Sequence, residues 1–219
     1  MKQQYIYGAG DLAREIYSTI LFLNKSQVVA KFNIEAFVVD QAYFNEQDNL
    51  LMGIPVISET VFSNEKWGKC EFVIGIGESL VREKIYKRIV SKGSTLMEAV
   101  IHPNALVMQD SSAAKGSYIA ANTTISIDAI IGENVIINQN CSIGHDCNIQ
   151  DNSVISPGVI LSGHVSIGHS SFVGSGAVIL PKVNIGENCI IGANLTLNKD
   201  LPAYNKLLQV TRNITVPIE

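Results

Sequence analysis

The stretch NQNCSIGHDCNIQ, residues 138 to 150, sets His145 and Asp146 between Cys141 and Cys147. Three kinds of chemistry use such side chains. Thiolates with an imidazole and a carboxylate can hold zinc. A thiolate beside an imidazole is a nucleophile with its base. An imidazole followed by a carboxylate is a general base with a group to orient it. Which of these applies depends on which side chains share a face, and therefore on the elements that carry them.

The chain has 219 residues, 47% hydrophobic and 16% charged, a composition that suits one large or two modest globular domains. Sixteen basic against twenty acidic residues give a net charge of −4. With no basic run besides, a nucleic-acid partner is not expected. The start, MKQQYIYGAG, lacks the apolar segment of a secretory signal, and no apolar run reaches the roughly 20 residues that span a bilayer. A cytoplasmic protein without a membrane span is expected, its four cysteines remaining thiols.

Before residue 100, YIYGAG, IEAFVVD and EFVIGIG read as short strands, while DLAREIYSTILFLNK and SLVREKIYKRIV carry helical spacing. This alternation predicts a Rossmann-like α/β domain over residues 1–98. Over residues 99–219 the rhythm changes. From Ile101 to Leu197 every sixth residue is aliphatic or alanine, and a second series four residues later, from Ala105 to Leu201, is nearly all small. A strict six-residue repeat fits neither a helix nor a flat strand, but it fits a solenoid of short strands and turns. Gly132, Gly144, Gly168, Gly174, Gly186 and Gly192 follow the aliphatic position directly, where a turn needs either positive φ or close backbone approach.

The segments IGENVI, IGHDCN, IGHSSF, VGSGAV and IGENCI resemble hexapeptide repeats. That resemblance implies an all-β left-handed parallel β-helix with three hexads per coil, its coils stacked at roughly 4.8 Å. In such a fold both repeating positions face inward, so Cys141, Cys147 and Cys189 are expected in the core. Cys70, ahead of a central strand, is expected to be structural as well. His145, two residues past its aliphatic position, then points outward and cannot share a site with inward cysteines. One coil later, Gly163 offers a backbone N–H and no side chain. A groove here could hold a thioester, with His145 near the nucleophile, Asp146 holding the imidazole and the Gly163 amide near the oxyanion. His145, His164 and His169 together resemble the zinc set of γ-class carbonic anhydrases, which share this helix. That family, however, places its first two ligands two coils apart, whereas His145 and His164 lie about one apart. No metal is expected. His102 is read as capping the entry to the β-helix.

The order YGAG, GIPVI, IGIGESLVREKI, IHPNALV and then hexads closely resembles the NeuD/PglD-type sugar acyltransferases over nearly the whole chain. The resemblance implies acetyl-CoA as acyl donor and a nucleotide-linked 4-amino-4,6-dideoxyhexose as acceptor, in surface glycan synthesis. It also implies a homotrimer with active sites between subunits. Carried over by position, His145 becomes the general base, Asp146 its partner and Gly163 the oxyanion donor, with Asn138 contacting substrate. Gly174, Ser175 and Gly176 fall along the pantetheine arm. Gly8, Gly10, Asp40 and the turn from Gly77 to Arg82 fall on the nucleotide, where glycines admit a pyrophosphate to a helix N-terminus. NAD fits this unit less well, because no redox domain follows and Asp11 would repel a phosphate. Sialic acid O-acetyltransferase is the alternative within the family. A zinc-dependent or non-catalytic hexapeptide protein is the alternative from another class. Two departures point to altered donor binding: Val154 stands where many members have a second histidine, and KLLQVTRNI replaces a GNPAK-like turn.

Overall fold

The computed structural model describes residues 2–25, 30–47 and 49–209, so the part of KLLQVTRNI from Val210 onward lies outside the described residues. Strands β1 (Gln3–Tyr7), β2 (Ile34–Val39), β3 (Leu50–Leu51), β4 (Ile54–Ser58), β5 (Cys70–Ile74) and β6 (Thr95–Leu96) form one sheet. Their order is β3-β4-β2-β1-β5-β6, parallel except for β3. Helices α1 (Asp11–Lys25), α2 (Asn64–Trp67) and α3 (Ser79–Ser91) connect the strands. Alternation along the strands sorts the core into two layers. Ile6, Phe37 and Val73 pack on Ile16 and Ile20 of α1, while Tyr5, Tyr7, Phe72 and Ile74 pack on Ile85 and Ile89 of α3.

The remaining strands wind into a left-handed parallel β-helix with three faces of seven, six and five strands. The first face runs from Val100–Ile101 to Lys206–Leu207, the second from Leu106–Val107 to Thr196–Leu197, and the third from Ser112–Ala113 to Asn184–Ile185. Stacked partners such as Ile119 and Ile137, or Ile125 and Ile143, repeat at a spacing of 18 residues. The aliphatic series and most of the small series form one continuous core that includes Cys141, Cys147 and Cys189. The small position also has a polar task. Ser153, Ser171 and Thr123 each donate from the side chain to a turn carbonyl 15 residues ahead. Cys141 and Cys147 do the same through Sγ, to Ser156 O at 3.1 Å and Ser162 O at 3.2 Å. This bond explains why one slot accepts serine, threonine and cysteine. Burial pushes the Cys141 thiol up to about 11 and that of Cys147 upward, which leaves both un-ionised and inert.

The turn glycines, Gly192 apart, have a single cause. None of those following an aliphatic position has positive φ among the described residues. A Cβ on Gly144 would instead lie 2.7 Å from Gly163 N, and one on Gly174 would lie 2.6 Å from Ala193 N. Close approach between coils is the requirement. The left-handed residue sits two positions further on, at Asn134, Asn140, Asp146, Asn152 and His164, mostly the asparagine and aspartate that tolerate it best. The repeat is also broken once. Leu201, expected in the small series, bridges Ile185, and Lys206–Leu207 pairs with Ile190–Ile191. The last coil is therefore two residues short, and Leu201 occupies an aliphatic slot of the third face.

Helix α1 is packed between the sheet and the first face of the β-helix, where Val100, Tyr118, Ala120, Ile136 and Val154 join its core. Val154 is thus buried under α1. Thr19 and Tyr118 share a hydrogen bond of 3.1 Å across this junction. His102 sits at the first turn of the β-helix, its Nδ1 accepting from Asn104 N and its ring stacked on Phe22.

Arg82 corrects one expectation. Rather than facing a nucleotide, it is fully buried at the junction. Its Nη1 donates to Ile74 O at 2.6 Å and Ile76 O at 2.9 Å. Its Nη2 donates to the backbone and side-chain oxygens of Asn134, which in turn bonds Asn152 at 2.9 Å. Burial pulls the guanidinium down to about 9, still charged at neutral pH. The arginine ties α3 to a β-helix turn and has no surface left for a ligand. No helix among the described residues is long and apolar enough to cross a membrane.

Two outcomes follow from this packing. Arg82→Met leaves buried carbonyls without donors and should lower the unfolding free energy by about 2–5 kcal/mol, measured by urea titration. In native protein all four cysteines should resist a thiol reagent and react only on unfolding, at the unfolding rate.

Candidate active site

At the corner between the second and third faces, His145 and Asp146 follow the strand Ser142–Ile143, and Gly163 and His164 follow Ile160–Leu161 one coil later. His145 Nδ1 lies 2.7 Å from Asp146 Oδ2, both side chains about half exposed. This hydrogen bond holds the Asp146 carboxyl below its usual range. An Nδ1–H donated to the carboxylate leaves Nε2 with its lone pair, the tautomer a general base requires. The imidazole edge lies over Gly163. A Cβ there would stand 2.6 Å from His145 Cε1 and nearer still to Nε2, so only glycine leaves the ring in place. The amides on either side of Gly163 are tied, Ser162 N to Ile179 O at 3.0 Å and His164 N to His145 O at 2.9 Å. Among the described residues the Gly163 N–H itself makes no hydrogen bond. A basic nitrogen and a free amide donor thus meet at one exposed point, an arrangement able to remove a proton and to stabilise an oxyanion.

A cavity of about 530 Å³ opens at the C-terminal ends of β1, β2 and β5, lined by Tyr7, Gly8, Gly10, Asp40, Tyr43 and Gly77 among others. Ligands of open α/β sheets bind at this end. Gly8 has φ 111°, and a Cβ on it would meet Gly75 O at 2.9 Å. Asp40 is not a bare acid. It accepts from Tyr7 Oη and from Arg88 Nη1 at 2.5 Å, and Glu59 shares the same two partners at 2.7 and 2.8 Å. Burial pushes the Asp40 carboxyl up, and these donors outweigh it and hold it below the usual range. Burial and hydrogen bonds to carboxylates push the Tyr7 phenol up. No spacing in the sequence joins Tyr7 to Glu59 and Arg88; the one signal it carries is Tyr7 directly before the glycine turn.

Residues 4–89 match the PglD N-terminal domain, and residues 128–163 and 164–199 match the bacterial transferase hexapeptide (six repeats). The chain belongs to the NeuD/PglD-type sugar acyltransferases. A histidine-to-asparagine variant of perosamine N-acetyltransferase from Caulobacter crescentus, in complex with CoA and GDP-perosamine, superposes with a TM-score of 0.81 at 25% identity, covering 99% of this chain and 98% of that one. WeeI from Acinetobacter baumannii AYE gives 0.80 at 24% identity, covering 95% and 97%. The acetyltransferase domain of PglB from Neisseria gonorrhoeae FA1090 gives 0.75 at 22% identity, covering 92% and 94%. The latter two establish the shared fold. No curated protein matches the sequence.

In this NeuD/PglD-type chain the other expected residues stand apart from His145. Asn138 and Gly174–Gly176 occupy the corner between the first and second faces. Asn138 is half-buried, its amide donating to Ile155 O at 3.0 Å. Ser175 is exposed, and Gly176 takes φ 69°. One face of a single β-helix separates this corner from His145. His169 lies on the third corner, where its Nδ1 is 2.9 Å from Glu187, so the three histidines do not come together within one chain. His164 does approach: its ring meets His145 edge to face at 5.0 Å, and its Nε2 lies 3.8 Å from Asp146 Oδ2. One donor atom each from His145, Asp146 and His164 lie within 4.8 Å of one another, and these are the residues able to hold a metal.

Gly163→Ala should displace the His145 ring while leaving the fold intact. A crystal structure of the variant would show the imidazole moved off residue 163, with far-ultraviolet circular dichroism unchanged.

Proposed function

We propose that this acyltransferase moves the acetyl group of acetyl-CoA onto the amino group of a nucleotide-linked 4-amino-4,6-dideoxyhexose, in cytoplasmic steps of surface glycan synthesis. The reading is carried by His145, whose Nδ1 is held by Asp146 and whose Nε2 lies against Gly163, a residue with a free amide. His145 takes the proton from the sugar amine as its nitrogen attacks the thioester carbonyl. The imidazolium that forms is stabilised by Asp146, and the Gly163 N–H receives the developing oxyanion. Collapse of the tetrahedral intermediate expels the thiolate of CoA, which recovers the proton. The C. crescentus structure with CoA and GDP-perosamine, at 25% identity over almost the full length, supports the choice of donor and acceptor class.

In this reading residues 1–98 bind the nucleotide, through Gly8, Gly10, Gly77 and Asp40 around the cavity, and residues 99–219 carry out transfer. The pantetheine arm follows Gly174, Ser175 and Gly176. Because Asn138 and these glycines lie on a different corner from His145, the complete site needs a neighbouring copy in a homotrimer. Leu106 and Ile160, exposed on the second face, suit burial against that neighbour. Val154, buried under α1, has no path to the His145 corner. O-acetylation of a sialic acid differs only in acceptor.

Purified protein should release CoA thiol when given acetyl-CoA and an amino-sugar nucleotide, and not with free sialic acid. His145→Ala should lose about 10²- to 10⁴-fold in turnover, with its melting temperature preserved. Near-normal turnover in that folded variant defeats the mechanism.

A further inference from the structure

We infer that His145, Asp146 and His164 form a binding site for a divalent transition-metal ion of the zinc class, and that the bound ion switches the transferase off. Asp146 Oδ2 stands 2.7 Å from His145 Nδ1 and 3.8 Å from His164 Nε2. These separations bracket the roughly 3.3 Å edge of a tetrahedron whose metal–nitrogen bonds are about 2.0–2.1 Å. The three side chains are about half exposed and one donor atom from each lies within 4.8 Å of the others, so side-chain rotation can close the set and leave a fourth position for water. The backbone under them is fixed, because His164 N donates to His145 O at 2.9 Å. Two imidazoles and one carboxylate favour zinc over the hard, oxygen-seeking magnesium and calcium.

The inhibitory sense follows from the tautomer. At rest the single ring proton of neutral His145 is on Nδ1, bonded to Asp146, and Nε2 is basic. A metal ion on the Nδ1 lone pair requires that proton to move to Nε2. The ring stays neutral and gains no charge, but its exposed nitrogen now carries hydrogen and can accept no other. Asp146 is occupied by the ion and no longer stabilises an imidazolium. The ion and the acyl transfer therefore exclude each other.

His164 is the residue that creates the site. It takes the left-handed turn position that asparagine fills at Asn134, Asn140, Asn152, Asn188 and Asn194. The fold therefore accepts asparagine there, and His164→Asn removes one ligand without disturbing the turn.

The binding half of this inference is independent of the proposed function, and the inhibitory half rests on it. Full-length protein treated with a chelator and then dialysed should be titrated with Zn²⁺ alone, against a competing zinc chromophore. One ion per chain is expected. His164→Asn should weaken binding by about 10- to 100-fold or more, since loss of even an outer partner costs that much. Zn²⁺ should inhibit acetyl transfer by the wild type at concentrations that leave His164→Asn active, whereas Mg²⁺ should inhibit neither. Zinc binding of equal strength in both proteins overturns the site. Zinc binding lost in His164→Asn, with wild-type turnover indifferent to zinc, overturns the inhibition. Should no acceptor be acetylated at all, the zinc titration still decides the site by itself.

Discussion

Coils that stack through parallel hydrogen bonds keep their side chains in line by closing after eighteen residues, down to the shortened last coil, and the corners decide whether they do. Each corner brings backbone onto backbone, so the residue after the aliphatic position has no room for a side chain wherever the approach is tightest, as at Gly144 and Gly174. Two residues further on the chain must turn through left-handed φ. Between them stands one residue with an outward side chain and an amide that the ladder does not use. Regular stacking therefore leaves a variable outward side chain at each corner, with an amide outside the ladder wherever that residue is not proline; the Glu133 amide is taken by Asp151, whereas that of Gly163 is free.

The proposed chemistry rests on such a corner. At one corner the variable residue is His145 and the residue directly above it is Gly163. No special loop is built. The same logic separates His145 from the cysteines beside it in sequence, since Cys141 and Cys147 sit in the inward slot, where their thiols serve turn carbonyls as the serines do. The α/β unit is joined to this scaffold by an apolar layer through α1 and by the buried guanidinium of Arg82, whose four oxygen acceptors come from both sides of the junction.

What could be read from residues alone was whatever the period controls. A six-residue repeat maintained from Ile101 to Leu197 determines which side chains face in, so the core cysteines and the outward His145 were legible. The period says nothing where it changes: Leu201 has the right chemistry for either slot, and the shortened last coil shows in its pairing with Ile185 and in that of Leu207 with Ile191. A linear motif likewise names residue types without sides. Arg82 read as part of a glycine turn, and nothing in the sequence shows that its side of α3 meets Asn134 rather than the cavity. The cluster of Tyr7, Asp40, Glu59 and Arg88 draws on four separate elements, and no spacing records it. His164 was visible as a histidine, but its approach to Asp146 depends on a turn conformation and not on a count.

The rigid junction has a further bearing on how such a chain can diversify. With the α/β unit joined to the side of the solenoid by Arg82 and α1, the span from its cavity to the His145 corner is set by this packing and not by a hinge. The solenoid changes height only in whole coils, each about 4.8 Å. The scaffold thus works as a graduated rule: an acceptor longer by one such step could be met by inserting eighteen residues. On the proposed reading, any finer difference in length falls to side chains around the cavity, which makes those side chains the place where acceptor preference is free to drift.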